Sequence, residues 1–450
     1  MTNKGVDKNL LRMIAPDEGK VYSGSSSRRS SFLQSGSVFV AILTLSKNSV
    51  GAGVLALSQK TMYSGIPVFL VLLAVGGFFT AKSIQMISKG ADHTGKFVFE
   101  EITEIMLGRG MSILVGISMF LNLYGGMIVY VIAIKDSLEA LLEQVQASTG
   151  VNWPLYATLI VGATVLIPFS VVEKLNSLRV LSLAGVIGVF FTVTSVVYAF
   201  SLTGLATDLA VKGSSETETV MTPQGGFVDI MTAVSTITFA FCNQFNVPQI
   251  YGELTVKTPS NARRIAYFSS YLTMGVYVVT AVCGYLCYGL EIQGNILLNF
   301  KPLIEAGSII IYLGVVAVIV SVCMCHLLSN FPLRLSVLFF LPPRYENNRI
   351  IKLSVPLFTA VSTIAIALLY SNLGMFLGLV GAVTGSVICY IVPALLSIRA
   401  SEMDGPSEKT VGPSSWLAKV WSHPTEYLMV LVGLIIGVVG TFCEFYSCFN

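Results

Sequence analysis

The stretch Leu45-Ser46-Lys47-Asn48-Ser49-Val50-Gly51-Ala52-Gly53-Val54-Leu55-Ala56-Leu57 interrupts an otherwise apolar run and decides how the rest of the chain is read. It holds a lysine, an asparagine, two serines and two glycines one residue apart. If the run crosses a bilayer, glycines and small polar residues at mid-depth weaken the helix. Unpaired backbone groups are tolerated there only where they line a cavity or meet a ligand. A helix broken at this point exposes N–H groups on its outgoing half, which suit a carboxylate. Gly-Ala-Gly alone is equally compatible with a close helix–helix contact, which small residues also promote.

The composition puts the run in a membrane. Of 450 residues, 54% are hydrophobic and 11% charged, against roughly 25% charged in soluble globular chains. Mean hydropathy is +0.77. So few charges cannot clothe a soluble surface. A net charge of +3 from scattered basic residues excludes a phosphate-tracking nucleic-acid surface.

The gaps between charged residues draw the spans, since a crossing helix needs about 20 mostly apolar residues. Uncharged intervals run 30–46, 48–59, 61–81, 110–134, 144–172, 180–207, 230–252, 265–290, 306–333, 353–398 and 427–443. The first two, parted only by Lys47, join as one helix of roughly 36–59. The interval 353–398 holds two, divided near Tyr370-Ser371-Asn372-Leu373-Gly374. The expectation is an all-α integral membrane protein with eleven transmembrane helices. Lipid-spanning strands would alternate polar and apolar residues, and these segments are apolar all round.

With eleven spans, 21 of the 27 Lys and Arg fall on the side of the N-terminus and four on the other, at Lys60, Lys135, Lys212 and Lys301. The positive-inside rule then places the N-terminus in the cytoplasm and the C-terminus outside or in a lumen. Residues 1–35 are polar, with six basic side chains and a Ser-rich centre, and read as a disordered cytoplasmic tail with no cleavable signal peptide. The transmembrane domain takes 36–446. Six of the eight Cys lie within spans as packing residues, Cys443 and Cys448 are candidates to pair, and no metal-ligand spacing or cofactor motif appears.

A second irregularity lies in span six, Phe239-Ala240-Phe241-Cys242-Asn243-Gln244-Phe245-Asn246-Val247-Pro248-Gln249-Ile250-Tyr251-Gly252-Glu253. Three closely spaced amides, Asn243, Gln244 and Asn246, followed by a proline inside a membrane helix point to another break, because buried amides cost free energy unless partnered. Breaks in spans one and six correspond if spans 1–5 (about 36–204) and 6–10 (about 227–398) form an inverted repeat, the sequence pointer to a secondary-transporter site at mid-depth. The eleventh helix, about 427–446, lies outside the repeat. Lys47 is the one charge well inside a predicted span. Its burial costs about 2.5–3.5 kcal/mol at helix centre, so it stands as a functional residue, with snorkelling along a cavity wall as the alternative. His326 reads either as a proton relay or as a hydrogen-bonded packing residue.

These residues resemble the amino acid/auxin permease family of the amino acid–polyamine–organocation superfamily, with the LeuT-like fold. Asn48 to Leu57 looks like its first-helix signature, and Pro248-Gln249-Ile250-Tyr251-Gly252-Glu253-Leu254 like the end of its sixth helix. Asn295-Ile296-Leu297-Leu298-Asn299-Phe300, Phe331-Pro332-Leu333-Arg334, and Gly378 to Ser386 with Pro393 are similar to later motifs, in order over roughly 36–445. The resemblance implies a 5+5 inverted repeat plus one helix, and transport of free amino acids across a bilayer at the plasma membrane or the vacuole or lysosome. It implies a substrate carboxylate on the backbone of Gly51, Ala52 and Gly53, and an α-amino group on carbonyls from Phe239 to Asn243. Ser49, Tyr124, Phe239, Phe241, Asn243 and Asn246 would shape the pocket.

The sodium-coupled branches of that family carry Asn where this chain has Lys47. Proton-coupled members carry Lys. Cys323 and Cys325 stand where sodium-coupled members place a hydroxyl, so Lys47, Cys323, Cys325 and His326 form the candidate coupling-ion site. The expectation is sodium-independent transport, with a co-transported proton or facilitative. Two alternatives stay open: an amino acid-sensing transceptor with little transport, and a sodium-coupled neutral or cationic amino acid transporter. An enzyme would need clustered acid, base or metal-binding groups, and His93, His326 and His423 are scattered. No mid-depth acid is present to pair with a cationic substrate, which leans the reading toward neutral amino acids, with Glu253 or Asp229 able to reverse it.

Overall fold

The computed structural model describes residues 36–171, 175–204, 222–342, 348–370, 372–404 and 423–449. The N-terminal tail lies outside them.

The first apolar run folds as two half-helices, α1 (Val38–Ser49) and α2 (Gly53–Ser64), bent by 62° across residues 50–52. Where one helix over 36–59 is expected, the outgoing half continues to Ser64. Gly65, at φ 71°, turns the chain into α3 (Ile66–Thr94). The amphipathic α4 (Phe99–Leu107) leads to α5 (Arg109–Thr149), then α6 (Trp153–Ser170) and α7 (Leu175–Thr203). The second break falls between α8 (Phe227–Ala240) and the short α9 (Val247–Gly252), with a 3-10 turn at Gln244–Asn246. Then come α10 (Pro259–Tyr288), α11 (Ile309–Phe340), α12 (Arg349–Leu369), α13 (Leu373–Asp404) and α14 (Pro424–Phe449).

Eight of these helices are long and apolar enough to cross a bilayer, or nine with the bent pair α1–α2 counted as one. Large apolar side chains such as Val71, Phe190, Ile309 and Phe358 stay exposed, as lipid-facing positions do. The interval 353–398 divides as expected, α12 ending at Leu369 and Asn372 capping the amide of Met375 at the start of α13.

Two expectations are corrected. Beyond the predicted span 110–134 the chain is helical to Thr149, because α5 runs on past its apolar stretch as an amphipathic continuation. There Lys301 pairs with Glu139 at 3.1 Å and Glu143 at 3.0 Å. Partial burial opposes the Lys301 charge, but the hydrogen bonds it donates to Glu143 and Glu139, with their negative charge, outweigh it and raise the ammonium's pKa. At the ends of predicted spans, Lys60, Asp136 and Glu444 are buried as well. Cys443 and Cys448 are both free, five residues apart on α14, with the Cys448 thiol donating to the Glu444 carbonyl.

Candidate functional site

The two breaks meet in the middle of the bundle. The amides of Gly53 and Val54 at the start of α2 have no backbone acceptor among the described residues, whereas Leu55 donates to the Ala52 carbonyl at 3.1 Å, and no side chain caps them. Gly53 is required here. A Cβ on it would lie 3.1 Å from the Ala240 Cα, so the start of α2 packs directly on the end of α8. A Cβ on Gly51 would come within 3.1 Å of the Tyr130 hydroxyl.

One side chain on α10 joins both breaks. The Tyr277 hydroxyl is fully buried and lies 2.7 Å from the carbonyl of Ser49, the last residue of α1. It lies 2.6 Å from the carbonyl of Ala240, the last residue of α8. It donates its one proton to this pair of helix-end acceptors; the Ser49 carbonyl also accepts from the Gly51 amide at 2.8 Å, while no backbone amide reaches the Ala240 carbonyl among the described residues. Phe241 stands edge-on to the Tyr277 ring at 5.3 Å.

Asn243 adds a second tie, its amide donating to Ser49 Oγ at 2.6 Å and to the Leu45 carbonyl at 3.3 Å. Its own Oδ1 is buried with no donor, and so is the Gln244 Nε2 without an acceptor. Along this stretch the Phe239 and Asn243 carbonyls accept from the amides of Cys242 and Asn246. The Phe241 and Cys242 carbonyls accept no backbone amide among the described residues.

A cavity of about 30 Å³ lies at the first break, and of the residues expected around a pocket Ser49, Gly51, Ala52, Gly53 and Phe239 are in its wall. That volume holds little more than a water or two, so this conformation keeps the site shut. Four expected pocket residues lie elsewhere. Tyr124 turns away to donate to Ser362 Oγ at 2.8 Å and stacks on Phe120. Phe241 packs behind the break on Tyr277, Asn243 ties the two broken helices together, and Asn246 is half-buried in the 3-10 turn. The tyrosine that α5 does bring to the cavity is Tyr130, joined by Asn48, Cys242, Phe245 and Ser329. Of these, Asn48, Cys242 and Phe245 carried a sequence signal, by lying within the two irregular stretches.

Lys47 is buried at 6% exposure with its Cε against Gly185 of α7, where an added Cβ would sit 2.6 Å from Cε and 3.3 Å from Nζ. The Gly185 carbonyl accepts from Ser321 Oγ of α11 at 3.2 Å. Lys47 therefore occupies the junction of α1, α7 and α11. The hydroxyl bordering this junction belongs to Ser321, one turn before Cys325. Cys323 packs in the aliphatic core and Cys325 is buried. His326 faces α12, with Nε2 3.3 Å from Thr363 Oγ1 and Nδ1 unpartnered. No contact brings it to Lys47 among the described residues. No group of His, Cys, Asp and Glu suited to a metal exists among them either.

The family profile described as transmembrane amino acid transporter protein matches residues 34–443. Amino acid transporter AVT6E of Arabidopsis thaliana is 23% identical over 461 aligned residues, covering 98% of this chain and 89% of its own length. Sodium-coupled neutral amino acid symporter 2 of Danio rerio is 22% identical over 384, covering 81% of this chain and 76% of its own. Among solved structures, MhsT in complex with L-phenylalanine matches 93% of this chain and 100% of its own, with a TM-score of 0.56 at 14% identity. That likeness gives the two chains one fold, the LeuT-like arrangement of helices.

Proposed function

The chain belongs to the transmembrane amino acid transporter family, a family of transporters and not of enzymes, and on that premise we propose that it is a sodium-independent secondary transporter of free amino acids, proton-coupled or facilitative. The observation that carries this reading is the meeting of two broken helices around Tyr277 and Asn243. Free amides at the start of α2 suit the substrate carboxylate. Acceptors around Phe241 and Cys242 suit its ammonium group. Alternating access requires the shut cavity to widen, with the halves of spans one and six hinging at residues 50–52 and 241–243.

In this reading α7 and the interrupted α8–α9 are also spans. With the bent pair α1–α2 they bring the eight long helices to eleven, as two five-helix repeats of about 36–204 and 227–398 plus α14. The charge distribution supports a cytoplasmic N-terminus with 1–35 as a tail, and a C-terminus outside or in a lumen. The end of the bundle bearing Lys60, Lys301 and Glu444 is then the outer end.

Lys47 supports sodium independence, since an ammonium between spans one, five and eight repels a second cation. Ser321, rather than Cys323 or Cys325, is its partner in lining that junction, and His326 belongs to the contact between spans eight and nine. The name of the Danio rerio relative supports neutral amino acids as substrates and favours sodium coupling as the second reading.

Uptake into proteoliposomes of tritiated neutral and cationic amino acids, with sodium and pH gradients imposed separately, tests this. Uptake that persists when choline replaces sodium is expected, and collapse on that exchange would establish the second reading. Lys47→Ala is expected to impair uptake while leaving membrane insertion intact; unchanged uptake would remove Lys47 from the mechanism.

A further inference from the structure

Beside the second break, α8 and α13 pack with their backbones close together. A Cβ on Gly381 would lie 3.0 Å from the Phe239 Cβ, and one on Gly385 would lie 2.7 Å from the Thr238 Cγ2. One turn further along each chain, within the π-helical stretch Gly381–Ile391 of α13, the same packing brings Cys389 to Cys242. The Cys389 thiol donates to Gln244 Oε1 at 3.1 Å, and its sulfur stands within hydrogen-bonding reach of Cys242. Both thiols are free and buried, Cys389 at 3% and Cys242 at 7% exposure. They differ in access. Cys242 is in the wall of the 30 Å³ cavity at the first break, and Cys389 is not.

We propose that Cys242 and Cys389 form a peroxide-sensitive dithiol that locks the second break when it is oxidised. A cavity with room for a water or two admits hydrogen peroxide, a molecule of that size, to the one thiol of the pair that faces it. The Cys242 sulfur takes OH from the peroxide and becomes a sulfenic acid; the O–O bond breaks, and the other oxygen leaves with the thiol proton as water. The Cys389 sulfur then attacks the Cys242 sulfur. An S–S bond forms, and the hydroxyl leaves with the Cys389 proton as a second water. Two thiols are oxidised and one peroxide is reduced. The close backbones of α8 and α13 supply the short Cα separation that a disulfide requires, and the bond to Gln244 holds the Cys389 sulfur beside its partner. The effect on uptake rests on the proposed transport function. There, residues 241–243 hinge, and a covalent tie from Cys242 to α13 stops them. An amino acid seated at the breaks covers Cys242, so substrate slows the oxidation.

The test treats the full-length protein in proteoliposomes with hydrogen peroxide and follows two readouts, amino acid uptake and the disulfide itself, by mass spectrometry of its peptides. In the wild type a linked pair of peptides carrying Cys242 and Cys389 is expected, with uptake falling to background and returning on addition of dithiothreitol. Cys389→Ser is expected to form no linked pair and to keep its uptake through the same treatment, and Cys389→Ala replaces it where a serine disturbs the packing. Absence of the linked pair from the oxidised wild type, or an equal loss of uptake in the Cys389 variants, overturns the dithiol and leaves the transport function standing. A linked pair with undiminished uptake overturns the lock. Absence of uptake of any amino acid by the reduced wild type overturns the transport function, while the linked pair still decides the dithiol.

Discussion

The two helix breaks solve one problem by opposite means. At residues 50–52 the chain removes side chains, and Gly51 and Gly53 leave room for Tyr130 and the Ala240 backbone, each of which would lie 3.1 Å from an added Cβ. At 241–243 it adds side chains, and Asn243 and Gln244 fill the gap with amides that bond back to α1 and within their own turn. One break is made by space and the other by hydrogen bonds. The first tolerates no added bulk; the second tolerates bulk but not the loss of a donor.

That contrast breaks first at Gly53. Gly53→Leu drives a side chain into the Ala240 backbone, and uptake is expected to fall to background with the protein still in the membrane; substantial uptake would mean the two helices are not in contact during transport. Next is Tyr277→Phe, which takes one hydroxyl from both breaks. Leaving buried carbonyls short of a donor costs about 1–3 kcal/mol. Thermal stability in detergent should drop, and uptake should fall roughly fivefold to a hundredfold.

Smaller still is the Ser49–Asn243 tie. Ser49→Ala and Asn243→Ala each are expected to cost about 1 kcal/mol, roughly fivefold, and the pair together less than the sum in a double-mutant cycle. Full additivity would mean the 2.6 Å contact carries no energy. The least effect is expected at Tyr124→Phe, within about twofold, because its hydroxyl serves Ser362 and not the cavity. A large loss there would return Tyr124 to the substrate site.

The membrane class and both breaks were legible because they are violations: charges absent over long runs, glycines and amides present where apolar residues belong. Which face of a helix points inward was not legible. The apolar stretch of α5 is buried over most of its circumference, so its hydropathy has no direction. Tyr124 and Tyr130, six residues apart, therefore look alike in sequence. Tyr277 is one of several tyrosines along α10, and nothing local marks the one that reaches both helix ends. Charge gaps locate the edge of the lipid, not the end of a helix or the edge of the protein. Hence α5 outran its predicted end, and Lys60 and Glu444 looked solvated while lying buried. Lys47 stood out in the sequence, but its neighbours Gly185 and Ser321 come from helices that only folding brings together.

The absence of a side chain at Gly185 has a consequence for how this protein varies over evolution. The lysine at 47 fills the volume that a Cβ at 185 would claim, so the two positions share one space. A relative with a shorter residue at 47 is free to carry a side chain at 185, while one that keeps the lysine is held to glycine. The two positions should covary across the family, and a drift to alanine at 185 should follow, not precede, the loss of the lysine.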